Sequence, residues 1–558
     1  MTAVRRGYVD VAGRAVHYRT YGSGPAVVML HDSPRSSRLH LATMQALAPG
    51  FTVFALDTPG YGNSAPLDLP EPTIADFAAA LGETLAALGL EQAPLYATHT
   101  SAKIALALAA RGGAMPRLVL DGLSLPEQLA APEFVAAYMR PFAIDDAGAY
   151  LAAEWSRTRD MLRWFPWFAA GPATRIPMDA PDAEWMADYG VDLFSAGPNY
   201  AGAYAAAMRW DPMPDLLSVS IPTLVAARSD DVLYGFLDRV PVAQNPALSI
   251  QRLTPDRTEW LAWLRGALIS SPFLRSTNGE VAAAKPLTEG QDHKAPTFGY
   301  LDLPHGQVHW QRCGQGTPIL ALSAPTTLQA LAWAEALAPN HTVLIPDLPG
   351  FGESDPLPEA NPDAIADALA ALIAAEANGR ATVLALGLAA PLAARLAARH
   401  PDRVAALVID GAPPLDPAEA ARFGEGLCPE IAFDPLGGSH LHRLWHLLRD
   451  SEVQWPWHDA RLERARRLPP LLKGEGLHHA LTGVLKQPRH WGEAAAAALA
   501  VAKSADWAQV RVPTLVFRHA DPAFAEAEAL AAAVPGARLA DRPDDLTAAA
   551  ALLRQGTD

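Results

Sequence analysis

The 558-residue sequence predicts an α/β fold class: two tandem domains, each a mostly parallel β-sheet wrapped by helices and carrying an inserted helical cap. Three observations carry that reading. Apolar, β-rich runs alternate with Ala/Leu-rich stretches of helical period, the pattern of strands joined by crossover helices. Landmarks of the first half return about 290 positions later. Each half also breaks its strand–helix alternation with a long aromatic-rich region of helical period and no strand signal.

In chain order, strands are expected over 26–30, 52–56, 94–97, 118–120 and 223–227, where apolar runs of strand length end in turn residues. The region between Gly122 and Ser220, rich in Trp, Met, Phe and Pro, reads as a helical cap over the carboxyl edge of the sheet. The repeat is explicit. Gly7-Tyr8-Val9-Asp10 returns as Gly299-Tyr300-Leu301-Asp302, and Asp57-Thr58-Pro59-Gly60-Tyr61-Gly62 as Asp347-Leu348-Pro349-Gly350-Phe351-Gly352. Asp121-Gly122 returns as Asp410-Gly411, and Pro222-Thr223-Leu224-Val225 as Pro513-Thr514-Leu515-Val516. The displacements are 292, 290, 289 and 291, and in the cap Trp155 and Trp167 return as Trp445 and Trp457 at 290. Near-constant displacement over a domain length implies duplication. The expected organisation is a first domain over 1–270 with its cap at about 123–220, a linker over 271–296, and a second domain over 297–558 with its cap at about 412–511. The second copy is expected to pack on the first as an intramolecular pseudo-dimer.

Composition excludes several function classes. A net charge of −16 argues against nucleic acid and anionic membrane surfaces, which call for basic patches. Half the residues are hydrophobic, enough for large cores, and two cysteines make no disulfide framework or metal spacing. The first residues lack the apolar segment of a signal peptide, and no run of 18 uncharged apolar residues occurs, so a cytoplasmic protein is expected. No cofactor is implied. A metal site from His31, Asp32 and His99 is disfavoured because adjacent residues of an extended chain point to opposite sides.

Pro94-Leu95-Tyr96-Ala97-Thr98-His99-Thr100-Ser101-Ala102-Lys103-Ile104-Ala105 reads as a buried strand turning sharply into an Ala-rich helix. Together with the Asp-x-Pro-Gly-x-Gly-x-Ser motif and the Met29-Leu30-His31 strand end followed by Pro34, this resembles the α/β-hydrolase-fold superfamily in both halves. The elbow is similar to the His-Thr-Gly-Ala elbow of some members. The resemblance implies a pocket between sheet and cap, with a nucleophile at the strand–helix turn. In the preferred register that position is His99; a shifted register would place Thr100 or Ser101 there.

The Ser-His-Asp triad that the resemblance implies is missing. No histidine lies between His99 and His293 or after His519, so neither half carries a base after its last strand. The second elbow, Leu386-Gly387-Leu388, has a glycine at the tip. The acid position after the seventh strand falls on Asp231 in the first half, with Asp521 a weaker counterpart in the second. In the oxyanion loop, Asp32 replaces the usual glycine. A carboxylate about 4 Å from a developing oxyanion costs roughly 4 kcal/mol at a dielectric near 20, cancelling the ~3 kcal/mol that one donor contributes. Either Arg35 neutralises Asp32, as part of the site or as a structural ion pair, or Asp32 points elsewhere.

His99 is then the group left for chemistry. The helix N-terminus behind it is expected to lower its pKa and keep the imidazole neutral, with Asp32 or Asp231 opposing that effect. His31 and Thr100 are candidate substrate contacts, and Trp155, Trp164 and Trp167 candidate aromatic walls. Two readings stand. In the first, His99, Asp32, Arg35 and Asp231 act on a small apolar carbonyl or ester compound in the N-terminal domain, the second copy being a degenerate scaffold. In the second, both halves are non-catalytic and bind an apolar ligand or a partner protein.

Overall fold

The computed structural model describes residues 3–269, 296–359, 361–502, 506–519, 521 and 526–556. The linker expected over 271–296 lies outside them, apart from its last residue. The chain forms two compact units, one from the first half without Ile144–Ala152, the other from the second half with that short segment.

The first sheet contains β1 (Arg5–Val11), β2 (Arg14–Gly22), β3 (Ala26–Leu30), β4 (Thr52–Leu56), β5 (Leu95–Thr98), β6 (Leu118–Asp121), β7 (Thr223–Arg228) and β8 (Leu248–Leu253). Its order is β1-β2-β4-β3-β5-β6-β7-β8. β1 and β4 each run antiparallel to β2, and every pairing from β4 to β8 is parallel. The five expected strands are present within a residue of their boundaries. The β1–β2 hairpin and β8 were not expected, because Tyr18, Arg19 and Arg252 break up the apolar runs there. The second sheet has β9 (Thr297–Leu303), β10 (Gly306–Cys313), β11 (Thr317–Ala324), β12 (His341–Pro346), β13 (Ala381–Gly387), β14 (Val404–Asp410), β15 (Thr514–Arg518) and β16 (Arg538–Asp541). Read from β9, its order is the same as that of the first sheet.

Central strands are covered on both faces, which is why their sequences are continuously apolar rather than alternating. Val27, Val28 and Met29 of β3 are fully buried, as are Val383, Leu384 and Ala385 of β13. At about 1.5–3 kcal/mol per buried large aliphatic side chain, these strands anchor each half. Helix ends follow local chemistry. Ile74–Leu88 starts with a reciprocal Thr73–Asp76 capping box and stops at Gly89, whose φ of 67° a side chain would strain. Between β6 and β7 the chain makes helices only, among them Ala149–Met161, Ala183–Ala196 and Gly202–Met208.

The repeated Asp-x-Pro-Gly motif is a brace. Asp57 accepts hydrogen bonds from His17 Nδ1 at 2.7 Å and from the Ser37 and Asn63 N–H groups at 2.6 and 3.0 Å. Burial favours the neutral acid, but His17 and Arg19 hold Asp57 well below the usual carboxylate range. A Cβ at Gly62 would lie 2.2 Å from an Asp57 oxygen, so this position must be glycine. Asp347, His309 and Gly352 repeat the arrangement, with 2.9 Å between Asp347 and His309.

Candidate active site

β5 ends at Thr98, and the helix Thr100–Ala110 starts immediately after one residue, His99, with φ 49° and ψ −111°. Such a conformation costs a non-glycine residue about 1–3 kcal/mol and persists only where the surroundings impose it. Here the His99 N–H donates to the Asp121 carbonyl at 3.0 Å, and the His99 carbonyl accepts from Ala102 N–H at 3.0 Å. His99 therefore occupies the elbow tip. Thr100 and Ser101 fall in the first helical turn, and the Ser101 hydroxyl donates to the His31 carbonyl, which removes it as a nucleophile.

His99 Nε2 lies 2.8 Å from Asp231 Oδ2, while Asp231 Oδ1 accepts the Leu233 N–H at 2.8 Å. Gly122, at φ 71°, makes room for the pair: a Cβ there would sit 2.5 Å from His99 Cδ2 and 3.1 Å from the Asp231 oxygen. Burial disfavours charge on the imidazole, but Asp231, then Asp32 and Asp121, outweigh it and push the pKa up to about 9. This corrects the expectation that the helix N-terminus would lower it. A full carboxylate in hydrogen-bond contact outweighs the fractional charge of a helix end. Burial also works to raise Asp231, yet His99 holds it below the ordinary range. At neutral pH the pair is imidazolium and carboxylate. Nε2–H donates to Asp231, and Nδ1–H makes no hydrogen bond among the described residues. About a third of the His99 side chain, 34%, is exposed.

The loop after β3 departs from expectation. Arg35 does not pair with Asp32: its Nε donates to Asp192 Oδ2 at 2.7 Å, and its guanidinium lies over Trp185 and Tyr189 at 5.2 and 5.8 Å. Arg35 and Asp192 are both buried, so the arginine neutralises a carboxylate of the helical insertion. Asp32 Oδ1 is buried with no hydrogen-bond partner among the described residues. His31 is withdrawn from any substrate, being 1% exposed, with Nδ1–H donating to the Asp32 carbonyl at 2.7 Å and Nε2 accepting the Thr58 N–H at 2.9 Å. Those two bonds fix its neutral tautomer and pin the loop that carries Asp32.

The three tryptophans expected as walls serve the insertion itself. Trp155 is 3% exposed, Trp164 stands beside Arg175, and Trp167 Nε1 donates to the Tyr138 carbonyl at 2.9 Å. Burial raises the Tyr189 and Tyr204 hydroxyls, and the Asp32 carboxylate adds to that rise in both. Tyr204 also meets the Tyr138 hydroxyl at 3.5 Å. Helical periodicity marks these residues as aromatic but cannot say which face meets the sheet.

In the second half, the elbow tip is Gly387 at φ 53°. His519, at the end of β15, places Nε2 2.7 Å from Asp410 Oδ1, and Arg542 Nε lies 3.1 Å from the same oxygen. Trp333 Nε1 donates to Asp410 Oδ2 at 3.0 Å. Burial alone would raise Asp410, but His519 and Arg542 bring it down to about 2. A histidine does therefore stand at the carboxyl edge of this sheet, paired with the aspartate that ends β14. Asp521, the weaker acid candidate, is instead 1% exposed and accepts the Arg467 N–H.

A family model described as the alpha/beta hydrolase fold matches residues 328–432. A 50-residue stretch is 38% identical to the pimeloyl-[acyl-carrier protein] methyl ester esterase of Vibrio campbellii, covering 9% of this chain and 20% of the relative. The chain thus spans about a fifth of the length of that curated relative. Similar solved structures include a bromoperoxidase from Bacillus anthracis, 18% identical, covering 48% of this chain and 100% of that one at a TM-score of 0.36. Epoxide hydrolase A from Mycobacterium thermoresistibile is 20% identical, covering 48% and 99% at 0.39. Potato epoxide hydrolase I is 20% identical, covering 48% and 98% at 0.37.

Proposed function

We propose, for a chain that belongs to the α/β-hydrolase-fold superfamily, that its N-terminal half is an acid–base enzyme of non-standard mechanism cleaving a small, largely apolar carbonyl or ester compound. The observation that carries this reading is the His99–Asp231 pair at the elbow tip. In the expected triad, a serine and a histidine together bridge the elbow to the acid after β7. Here a single imidazole spans that gap, so the reactive group at the tip is a cation with a free N–H.

His99 Nδ1–H donates to the substrate carbonyl oxygen, and the Thr100 N–H, which as the first in its helix has no intrahelical partner, donates beside it. Asp32 accepts a proton from a water molecule as the water oxygen bonds to the carbonyl carbon. The carbonyl π pair moves to oxygen, stabilised by the imidazolium. When the intermediate collapses, the C–O or C–C bond to the leaving group breaks, and that group takes the proton held by Asp32. Asp231 keeps His99 protonated and in one orientation. Tyr189 and Tyr204 border the substrate. Arg35 holds Asp192, and His31 the loop, as positioning residues.

A panel of esters, lactones and β-diketones offered to the full chain tests the reading. Turnover that falls 10²–10⁴-fold in His99→Ala and in Asp32→Asn is the expected result. Turnover unaffected by either substitution overturns it. The competing reading, a non-catalytic protein binding an apolar ligand or a partner, draws on the missing base after β8. It takes over if no compound in the panel is consumed while one of them binds.

A further inference from the structure

The second half carries no elbow side chain, yet it holds a cavity of about 80 Å³ that Gly387 helps to line. Its lining combines polar Asp410, His519 and Arg542 with apolar Leu427 and Leu447 and the indole of Trp455. The acceptors around it are already committed. Asp410 receives His519, Arg542 and Trp333, and Glu452 receives both Gln329 contacts at 2.8 Å and the Leu471 N–H at 3.2 Å. A donor is left over. Trp455 is 7% exposed, and its indole N–H has no hydrogen-bond partner among the described residues. A buried donor without an acceptor costs about 1–3 kcal/mol, so native structures rarely keep one without a reason. The lining cations Arg466 and Arg542 are balanced by Glu452 and Asp410.

We propose that this cavity is a second, non-catalytic binding site for a short-chain carbonyl or carboxylate compound. The acceptor end lies against the Trp455 N–H and the His519–Arg542 pair, and the hydrocarbon end against the leucines. Volume sets the length: a dry 150 Å³ cavity holds benzene, so ~80 Å³ suits about three or four heavy atoms. Chemistry sets the polarity. An alcohol or alkane of that size gives the indole N–H a poorer acceptor or none, while a carbonyl oxygen supplies one without adding a donor to a site already rich in them. The site differs from the proposed catalytic centre in every residue.

The test is saturation-transfer NMR on the full chain with acetate, acetone and propane as separate probes, in the wild type and three variants. Saturable binding of acetate or acetone, with the methyl protons receiving the saturation, is expected, and propane should bind more weakly. The difference between the first two tells a carboxylate site from a neutral carbonyl site. Trp455→Phe, which removes only the N–H and its ring edge, should weaken binding about five- to tenfold. Ser451→Phe, which fills the cavity from its rim, should abolish binding, with circular dichroism confirming an intact fold. His99→Ala should leave it unchanged. Loss of binding in His99→Ala places the ligand in the first half and overturns the proposal, as does equal affinity in Trp455→Phe or no saturable binding of any probe. Because His99→Ala removes the proposed catalytic centre, failure of that activity and failure of this site are read separately.

Discussion

The two halves share a strand order and a brace, and they differ at the elbow. At the brace, Asp57 and Asp347 do the same work with the same partners: a histidine ring from the second strand of each sheet and backbone N–H groups of the following turn. At the elbow, a charged imidazole reaching an acid after β7 stands opposite a glycine over an Asp410–His519–Arg542 cluster. What repeats is what holds the sheet edge, and what differs is what faces the cavity. Packing constraints are identical in two copies of one fold, whereas the surface of a pocket is free to change wherever it supports nothing else.

The largest test of that contrast is at the elbow itself. His99→Ala should cut turnover 10²–10⁴-fold on any substrate found, while Gly387→Ala leaves it within twofold, both read as kcat/KM. Equal losses would mean that the halves act together. At the brace both halves should lose stability. Asp57→Ala strands a buried histidine and should cost about 3–5 kcal/mol by denaturant unfolding. Asp347→Ala should cost less, since its ion pair is 12–13% exposed rather than fully buried. A neutral result at Asp57 would remove the structural reading of the motif.

Gly122→Ala sharpens the comparison without touching a charge. The new methyl would sit 2.5 Å from His99 Cδ2, driving the ring from Asp231. Turnover should fall about 10²-fold, and the melting temperature should fall too because φ 71° strains a side chain at this position; full activity would mean that the ion pair is dispensable.

The smallest effects are in pH. The folded pKa of His99, about 9, lies above its ordinary 6.5, so its stabilisation is complete below pH 6.5 and is lost as pH rises through about 9. With a third of the ring exposed, that contribution is below ~1 kcal/mol. Activity should decline over the same interval as the imidazolium loses its proton. Asp410 behaves in the opposite sense. Its pKa is depressed from 3.8 to about 2, so its contribution is present above pH 3.8 and lost as pH falls through about 2. Melting temperatures of wild type, His99→Gln and Asp410→Asn between pH 2 and 10 separate the two; parallel curves for all three would contradict both assignments.

By itself, the sequence determined the α/β fold class, the repeat near 290 and the elbow register, because each rests on a local pattern: apolar runs of strand length, turn glycines, and an Ala-rich helix start behind His99. It also singled out Asp231, which the fold brings within 2.8 Å of His99, since a position after a strand end is fixed by the strand. Only the tertiary structure decided which partner each charge found. Arg35 turned to Asp192, 157 positions away, rather than to Asp32 three positions away. His31 spent both nitrogens on backbone, and His519 joined Asp410, 109 positions away. The direction of the His99 pKa followed the same logic, because Coulomb interaction depends on distance in space and on burial, and neither is written in sequence spacing.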